Sequence, residues 1–317
     1  MNEQDVQLVN QEDIGHLVAR LKAYGPITAK TRCLLLLIQS GINTCKHWIY
    51  ASPDTSKPLV SIVIMLAAPD WHVVDAFAPE DAASMRRLAA AMLAPELHER
   101  LWRMPFRADC WPCYLKPVLG DVRHQRGFSS RLIDTNMLFV KEAYPPVECV
   151  PTCCPPGVSV RPLDSIHLDT VKRFWPYTAV VPDADGLMRD GMTMGLSAGV
   201  FVAADSDVAS SPDGELVCWA LLNRNAMLGF LHTLETHRRR GLARLAMEAL
   251  TRLCLQRRLP CLVATAVPSV MHMMEPLGYS SVCNVFWAEV HPAEDGATQE
   301  TESDDGAQQP GGPVKTS

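Results

Sequence analysis

The hydrophobic period changes several times along the second half of the chain, and each change marks an element. Leu242, Leu245, Ala246, Ala249, Leu250 and Leu253 recur at i, i+3, i+4, i+7, i+8 and i+11. That spacing predicts one buried face of a helix over 241–257. Apolar runs at 199–203, 216–222, 227–234 and 262–267 have the length and residue types of strands and flank this helix. A strand over 158–162 is followed by a helix capped at Asp164 that carries Ile166, Val171, Phe174 and Trp175. Helices over 184–194 and 269–277, the latter stopped by Gly278, and a returning strand over 281–290 complete this half. The first half is less regular. It predicts a helix over 6–21, strands over 60–66 and 71–77 as candidate partners, a helix over 80–93 entered from Pro79, and a strand over 136–141. Both halves read as α/β.

Punctuation between these patterns divides the chain. Residues 144–157 hold five prolines in 14 positions, a linker or extended connection. Residues 292–317 are almost devoid of large apolar side chains and predict a disordered acidic tail, because they cannot bury enough surface to offset ordering. The expected organisation is an N-terminal α/β domain over 1–143, the linker over 144–157, a second α/β domain over 158–291 and the tail over 292–317.

Charge then narrows the function classes. The 317 residues carry 29 Lys and Arg against 35 Asp and Glu, a formal net charge of −6. That balance argues against a general nucleic-acid binder, which needs basic excess to neutralise phosphates. Six of the acidic residues and only Lys315 among the basic ones lie in the tail, so the body carries 28 basic and 29 acidic residues. A nearly neutral body leaves room for a local anion site. The longest apolar stretch, 59–68, is far short of the ~18 residues of a membrane span. The acidic start, Met1-Asn2-Glu3-Gln4-Asp5, has the look of neither a secretory signal nor a transit peptide. A soluble intracellular protein is expected.

One segment carries chemistry. The run 227–234 leads into His237, Arg238, Arg239 and Arg240, then Gly241, Leu242 and Ala243, where the amphipathic helix begins at once. Backbone N–H groups at a helix start lack intrahelical partners and carry the positive end of the macrodipole, so they suit an anion. Gly241 would let a phosphate approach the backbone, and the arginines add charge suited to a pyrophosphate. The plainer alternative is a solvated arginine surface beside a turn glycine.

With these residues in view, the second half resembles the GNAT superfamily of N-acyltransferases. Arg238-x-x-Gly241-x-Ala243 is similar to that superfamily's Gln/Arg-x-x-Gly-x-Gly/Ala loop for the coenzyme A pyrophosphate. Leu277-Gly278-Tyr279 is similar to its Leu-Gly-Phe/Tyr turn. A closer resemblance is to the glycine N-acyltransferase family. Val217-Cys218-Trp219 followed by Leu221 resembles its Val-Cys-Trp-x-Leu strand, and Val171-x-x-Phe174-Trp175 its Val-Asn-Lys-Phe-Trp helix. Thr233-Leu234 followed by Arg238-x-x-Gly241-Leu242 resembles its Thr-Leu-Pro-Glu-Tyr-Arg-x-x-Gly-Leu. The match covers residues 158–290. The first half is similar to that family's N-terminal domain in length and α/β pattern only.

The resemblance implies a GNAT-type mixed twisted sheet flanked by helices, preceded by a second α/β domain for which a degenerate GNAT-like fold is one candidate. It implies transfer of an acyl group from acyl-CoA, as co-substrate, to the amino group of glycine or another small amine by direct attack, with no metal. Leu231 and Thr233 would bind pantetheine through their backbone, and Arg238, Arg239, Arg240, Gly241, Leu242 and Ala243 would hold the pyrophosphate. The resemblance favours mitochondria, while the acidic start favours the cytoplasm.

The usual proton-transfer groups are absent. The family's glutamate base aligns with Met227, a frequent superfamily Asn with Val267, and the Tyr often used as general acid with Met274. Replacement bases are His232, whose ordinary pKa of about 6.5 suits the task, and then Glu235. Strict alternation places Met227 and His232 on opposite faces unless a bulge intervenes. His232 also reads as a structural strand histidine, His237 as a surface residue and Cys218 as a core thiol. These losses leave a second reading open, an acyl-CoA-binding module with weak or lost catalysis, and a third, a GNAT acting on another amine. Among eleven cysteines, Cys110 and Cys113 have the spacing of zinc or redox sites, which Cys149, Cys153 and Cys154 would have to complete; free thiols are the expected state.

Overall fold

The structure is a computed structural model that describes residues 6–52, 61–68, 70–142, 154–179, 181, 183–203 and 214–292. The tail from residue 293, most of the proline-rich linker, and Cys149 and Cys153 lie outside the described residues.

In chain order the first half contains β1 (Gln7–Leu8), α1 (Ile14–Lys22), α2 (Ala29–Gln39), β2 (His47–Ala51), β3 (Ile62–Ala67), β4 (His72–Phe77), α3 (Ala82–Leu93), α4 (Pro95–Leu101), β5 (Phe106–Pro112), α5 (Lys116–Gln125) and β6 (Phe128–Lys141). The second half contains β7 (Val158–Arg161), α6 (Leu168–Phe174), α7 (Ala184–Thr193), β8 (Ser197–Val202), β9 (Glu215–Leu222), β10 (Leu228–Thr233), α8 (Leu242–Gln256), β11 (Cys261–Thr265), α9 (Pro268–Met274) and β12 (Ser280–Pro292).

Most of the expected elements are present near their expected bounds. The helix expected over 6–21 is shorter. Residues 7–8 pair with β2, and a 3-10 turn at Gln11–Asp13 leads into α1. The helix expected from residue 80 starts at Ala82, because the Asp81 carboxylate accepts from the Ala83 and Ser84 amides and caps it there. Pro79 therefore precedes the helix rather than occupying its first turn. The strand expected over 136–141 is the end of the longer β6. The patterns of α2, β2, α4, β5 and α5 were not expected.

The strands form two sheets. One has the order β1-β2-β3-β4-β5-β12-β6-β11, and the other β10-β9-β8-β7. All neighbours run antiparallel except β4 and β5, which pair in parallel from His72/Phe106 to Val74/Ala108. Strands from both halves of the chain interleave in the larger sheet: β12 lies between β5 and β6, and β6 separates β12 from β11. This is a mixed α/β architecture with a largely antiparallel sheet, as expected.

Three apolar cores hold these layers. α3, α4 and α5 cover one face of the large sheet, with Leu88, Leu97, Val118 and Val122 packed on Trp111 and Phe286. α6 and α7 cover one face of the small sheet, with Val171, Leu187 and Met188 on Trp219 and Leu221. The third core lies between the sheets and draws on both halves, from Leu17 and Leu34 to Leu196, Val217, Leu250 and Leu262. One polar cluster interrupts it. The Lys30 ammonium donates to Asp75 Oδ1 at 2.8 Å and to the Asp109 carbonyl, and lies 3.2 Å from Asp109 Oδ2. Thr31 Oγ1 donates to Asp75 Oδ2 at 2.8 Å. Burial pulls the lysine pKa down, but the two carboxylates outweigh it and hold it above its ordinary value.

Candidate functional site

β10 and β11 are end strands of different sheets, so the two sheets part between them. Among the described residues, the edge of β10 away from β9 has no ladder partner. α8 packs across β8, β9 and β10 and reaches β11, bracing the wedge from behind. The expected site residues sit on β10, on the following turn and at the start of α8.

β10 is irregular where the site requires an open edge. Its register against β9 shifts between Gly229 and His232, and Phe230 has φ +57°. The bulge turns Leu228 and Leu231 to the core between the sheets, while Phe230 packs in the core under α6. Thr233 Oγ1 donates to Cys218 Sγ at 3.1 Å on the α8 side. Burial pushes the Cys218 thiol up to about 11, so it is neutral at physiological pH and no nucleophile.

His232 faces the other way. Its ring stacks on Phe174 at 4.7 Å and on Trp219 at 5.0 Å, and these two rings are 5.8 Å apart, so the three form one cluster. Burial lowers its pKa below the ordinary value, Arg238 lowers it further, and Glu235 opposes them. The imidazole is therefore neutral at physiological pH and able to accept a proton. Glu235, in the 3-10 turn Glu235–His237, is 83% exposed on its side chain and lies 3.3 Å from Arg238. It points to solvent beside the loop.

After this turn Arg239 has φ +63° and Gly241 φ +77°, so two left-handed residues bring the chain sharply into α8. Gly241 is the N-cap residue, and no side chain caps the helix. A Cβ on Gly241 would meet nothing within 4 Å, so the space before the helix start is open. Arg238, Arg239 and Arg240 are all exposed around it, and Arg238 Nε also donates to the Thr233 carbonyl at 3.3 Å. Leu242 is buried and anchors the helix, and Ala243 is half-buried. An uncapped fifteen-residue helix behind a glycine and three arginines fits a pyrophosphate.

The positions that align with lost proton-transfer groups are structural. Met227 and Met274 are buried in the core between the sheets, and Val267 is the exposed N-cap of α9. Met227 lies in the turn before β10 and stays on the face opposite His232 in spite of the bulge. Tyr279 is buried, with its hydroxyl 2.6 Å from Thr251 Oγ1, and burial raises its pKa. Cys110 and Cys113 sit in β5 and the turn after it, and burial raises both thiol pKa values. Among the described residues no three candidate metal ligands come together, and no helix is long and apolar enough to cross a membrane. Sequence reasoning missed Phe174 and Trp219 as the wall around His232. The signal lies in the aromatic residues of the α6 and β9 motifs, Phe174 and Trp219.

Residues 208–288 match the family model described as FR47-like protein. A solved Drosophila protein is 18% identical, with a TM-score of 0.65 over 91% of this chain and 99% of that one. The fold is shared. A tandem GNAT protein from the clavulanic acid biosynthesis pathway is 13% identical over 91% of this chain and 99% of that one, with a TM-score of 0.49. A GCN5-related N-acetyltransferase from Kribbella flavida is 16% identical over 74% of this chain and 87% of that one, with a TM-score of 0.43. No curated protein matches the chain. The fold class expected from the sequence, a mixed, largely antiparallel sheet with flanking helices, is the one observed.

Proposed function

We propose that this protein is an N-acyltransferase that moves an acyl group from acyl-CoA to the amino group of glycine or another small amine. The observation that carries the reading is the wedge between β10 and β11 opening on the uncapped start of α8 at Gly241. The pyrophosphate would lie against the amides of Leu242 and Ala243 with Arg238, Arg239 and Arg240 around it. Pantetheine would pair with the free edge of β10 at Leu231 and Thr233, extending the sheet as a strand would.

The amine must be neutral to attack the thioester carbonyl. Its nitrogen forms a bond to the acyl carbon, the carbon–sulfur bond breaks, and the sulfur leaves as the CoA thiolate, which takes up a proton. A strand N–H of β10 can donate to the oxygen on which negative charge develops. His232 is the first candidate to take the proton from the amine, because it is neutral and lies on β10. Glu235 is the second, acting through water from the strand's end. The test pairs calorimetric titration of acyl-CoA with thiol release from a panel of acyl-CoA donors and amino acids. Binding with turnover on a small amine supports the reading, and absence of binding overturns it.

A second reading rests on Met227. The residue aligned with the family's base is a thioether packed in the core, so acyl-CoA binding without efficient transfer is its expected signature. Binding without thiol release from any donor and amine selects this reading.

A further inference from the structure

Among the described residues β10 has β9 as its one ladder partner, so the angle at which its free edge meets β11 depends on what fixes the hairpin leading into it. That hairpin is fastened to the first half of the chain. Its turn closes through Asn223, whose carbonyl accepts from the Ala226 amide and whose Oδ1 accepts from the Asn225 and Met227 amides. Asn43, in the loop after α2, donates through Nδ2 to the Arg224 carbonyl at 2.8 Å. Asn225 Nδ2 donates to Asp109 Oδ1 at 3.5 Å, and that oxygen also accepts from Trp287 Nε1 of β12 at 3.1 Å. Asp109 in turn belongs to the Lys30–Asp75 cluster under α2.

Asn43, Asn225, Asp109 and Lys30 are each no more than 4% exposed. Cys110, the residue after Asp109, has φ +59°, an irregularity within the continuous strand β5 beside that carboxylate. A buried polar cluster of this kind adds little net stability over apolar packing of the same volume, but it accepts one arrangement of its partners. An apolar turn could slide on an apolar floor. A turn that must satisfy Asp109 and Asn43 cannot.

We propose that Asn43 and Asn225 are positioning residues for acyl transfer. They lock the β9–β10 hairpin to the charged cluster of the first half and thereby set the free edge of β10 against β11. The first half then has a task in the reaction without touching the substrate. This inference rests on the proposed acyl-transfer reading, and its test has an arm that does not.

The experiment uses the full chain and the variants Asn225→Ala and Asn43→Ala. Amide hydrogen exchange is followed over residues 228–234 and over the rest of the small sheet, together with Tm, acyl-CoA affinity and steady-state turnover. Exchange in 228–234 should quicken about tenfold while the rest of the small sheet and Tm hold. Turnover should fall about ten- to a hundredfold in kcat with acyl-CoA affinity within about twofold, since misplacement costs orientation rather than grip. Unchanged exchange in 228–234 overturns the proposal. So does a uniform rise in exchange with a lower Tm, which is the mark of a merely structural contact, and so does weaker acyl-CoA binding at unchanged kcat. A wild-type protein that transfers no acyl group sinks the acyl-transfer reading alone, and the exchange arm still decides whether the hairpin is locked.

Discussion

His232 shows how environment, rather than residue type, decides what a side chain can do. An exposed histidine is half-protonated at about pH 6.5. Here packing on Phe174 and Trp219 and the nearby Arg238 guanidinium favour the neutral form. Because the folded pKa is depressed, protonation costs stability. The protein should lose stability as pH falls from about 6.5 toward the folded pKa, and His232→Ala should flatten that part of the pH–Tm profile. If His232 is the base, kcat/KM should rise through an acidic limb below pH 6.5, and His232→Ala should remove the limb and about 10²–10⁴-fold of rate. A full-rate alanine variant with the limb intact would move the role to Glu235 or water. Cys218, with its thiol near 11, makes the opposite case: Cys218→Ala should leave turnover within about twofold. The face of each residue was partly legible in the sequence. Alternation set Met227 and His232 apart, and they are apart, but the Phe230 bulge that groups Leu228 with Leu231 has no sequence signal of its own.

At the scale of elements, α8 was legible because it buries one face, and α2 was hidden because it buries nearly all of itself. α8 shows a single apolar stripe and was found within a residue at each end. α2 runs Ala29-Lys-Thr-Arg-Cys-Leu-Leu-Leu-Leu-Ile-Gln39, with charged Lys30 and Arg32 buried beside an unbroken apolar run, so no 3.6-residue period survives. β5 is buried at every position although it contains Arg107 and Asp109, whose charges interrupt the apolar run that would mark a strand. The strand–loop–α8 unit was legible because its chemistry is local: the glycine, the arginines and the helix start are contiguous. Its prediction is equally local. Gly241→Ala puts a Cβ into open space at φ +77°, so it should cost about 1–2 kcal/mol of stability and leave measurable CoA affinity. Gly241→Glu adds a carboxylate to the same strain and should abolish CoA binding, because that charge faces the phosphates. Calorimetry on the pair separates backbone strain from electrostatics, and equal losses would sink the phosphate assignment.

At the scale of the whole molecule, the sequence pattern gives the faces of a strand but not its neighbours, so the interleaving of β12 and β6 could not be read from it. The interleaving has energetic consequences. Lys30 binds α2 to β4 and β5 within the core that both halves share, and its charge is retained throughout neutral pH because the carboxylates hold its pKa up. Lys30→Met would leave Asp75 and Asp109 buried without their cation and should cost about 3–5 kcal/mol, measured by urea unfolding. The two halves should also melt together. In the chain 154–317, β11 would lack its neighbour β6, and β12 would lack both β5 and β6. Each would expose an apolar edge where the whole chain has a ladder. That fragment alone should show no cooperative thermal transition. Expressed together with residues 1–142 it should recover one, because β6 would again lie between β12 and β11. A fragment 154–317 that melts cooperatively on its own would mean that β11 and β12 find other partners, and that the first half is not needed to hold the wedge.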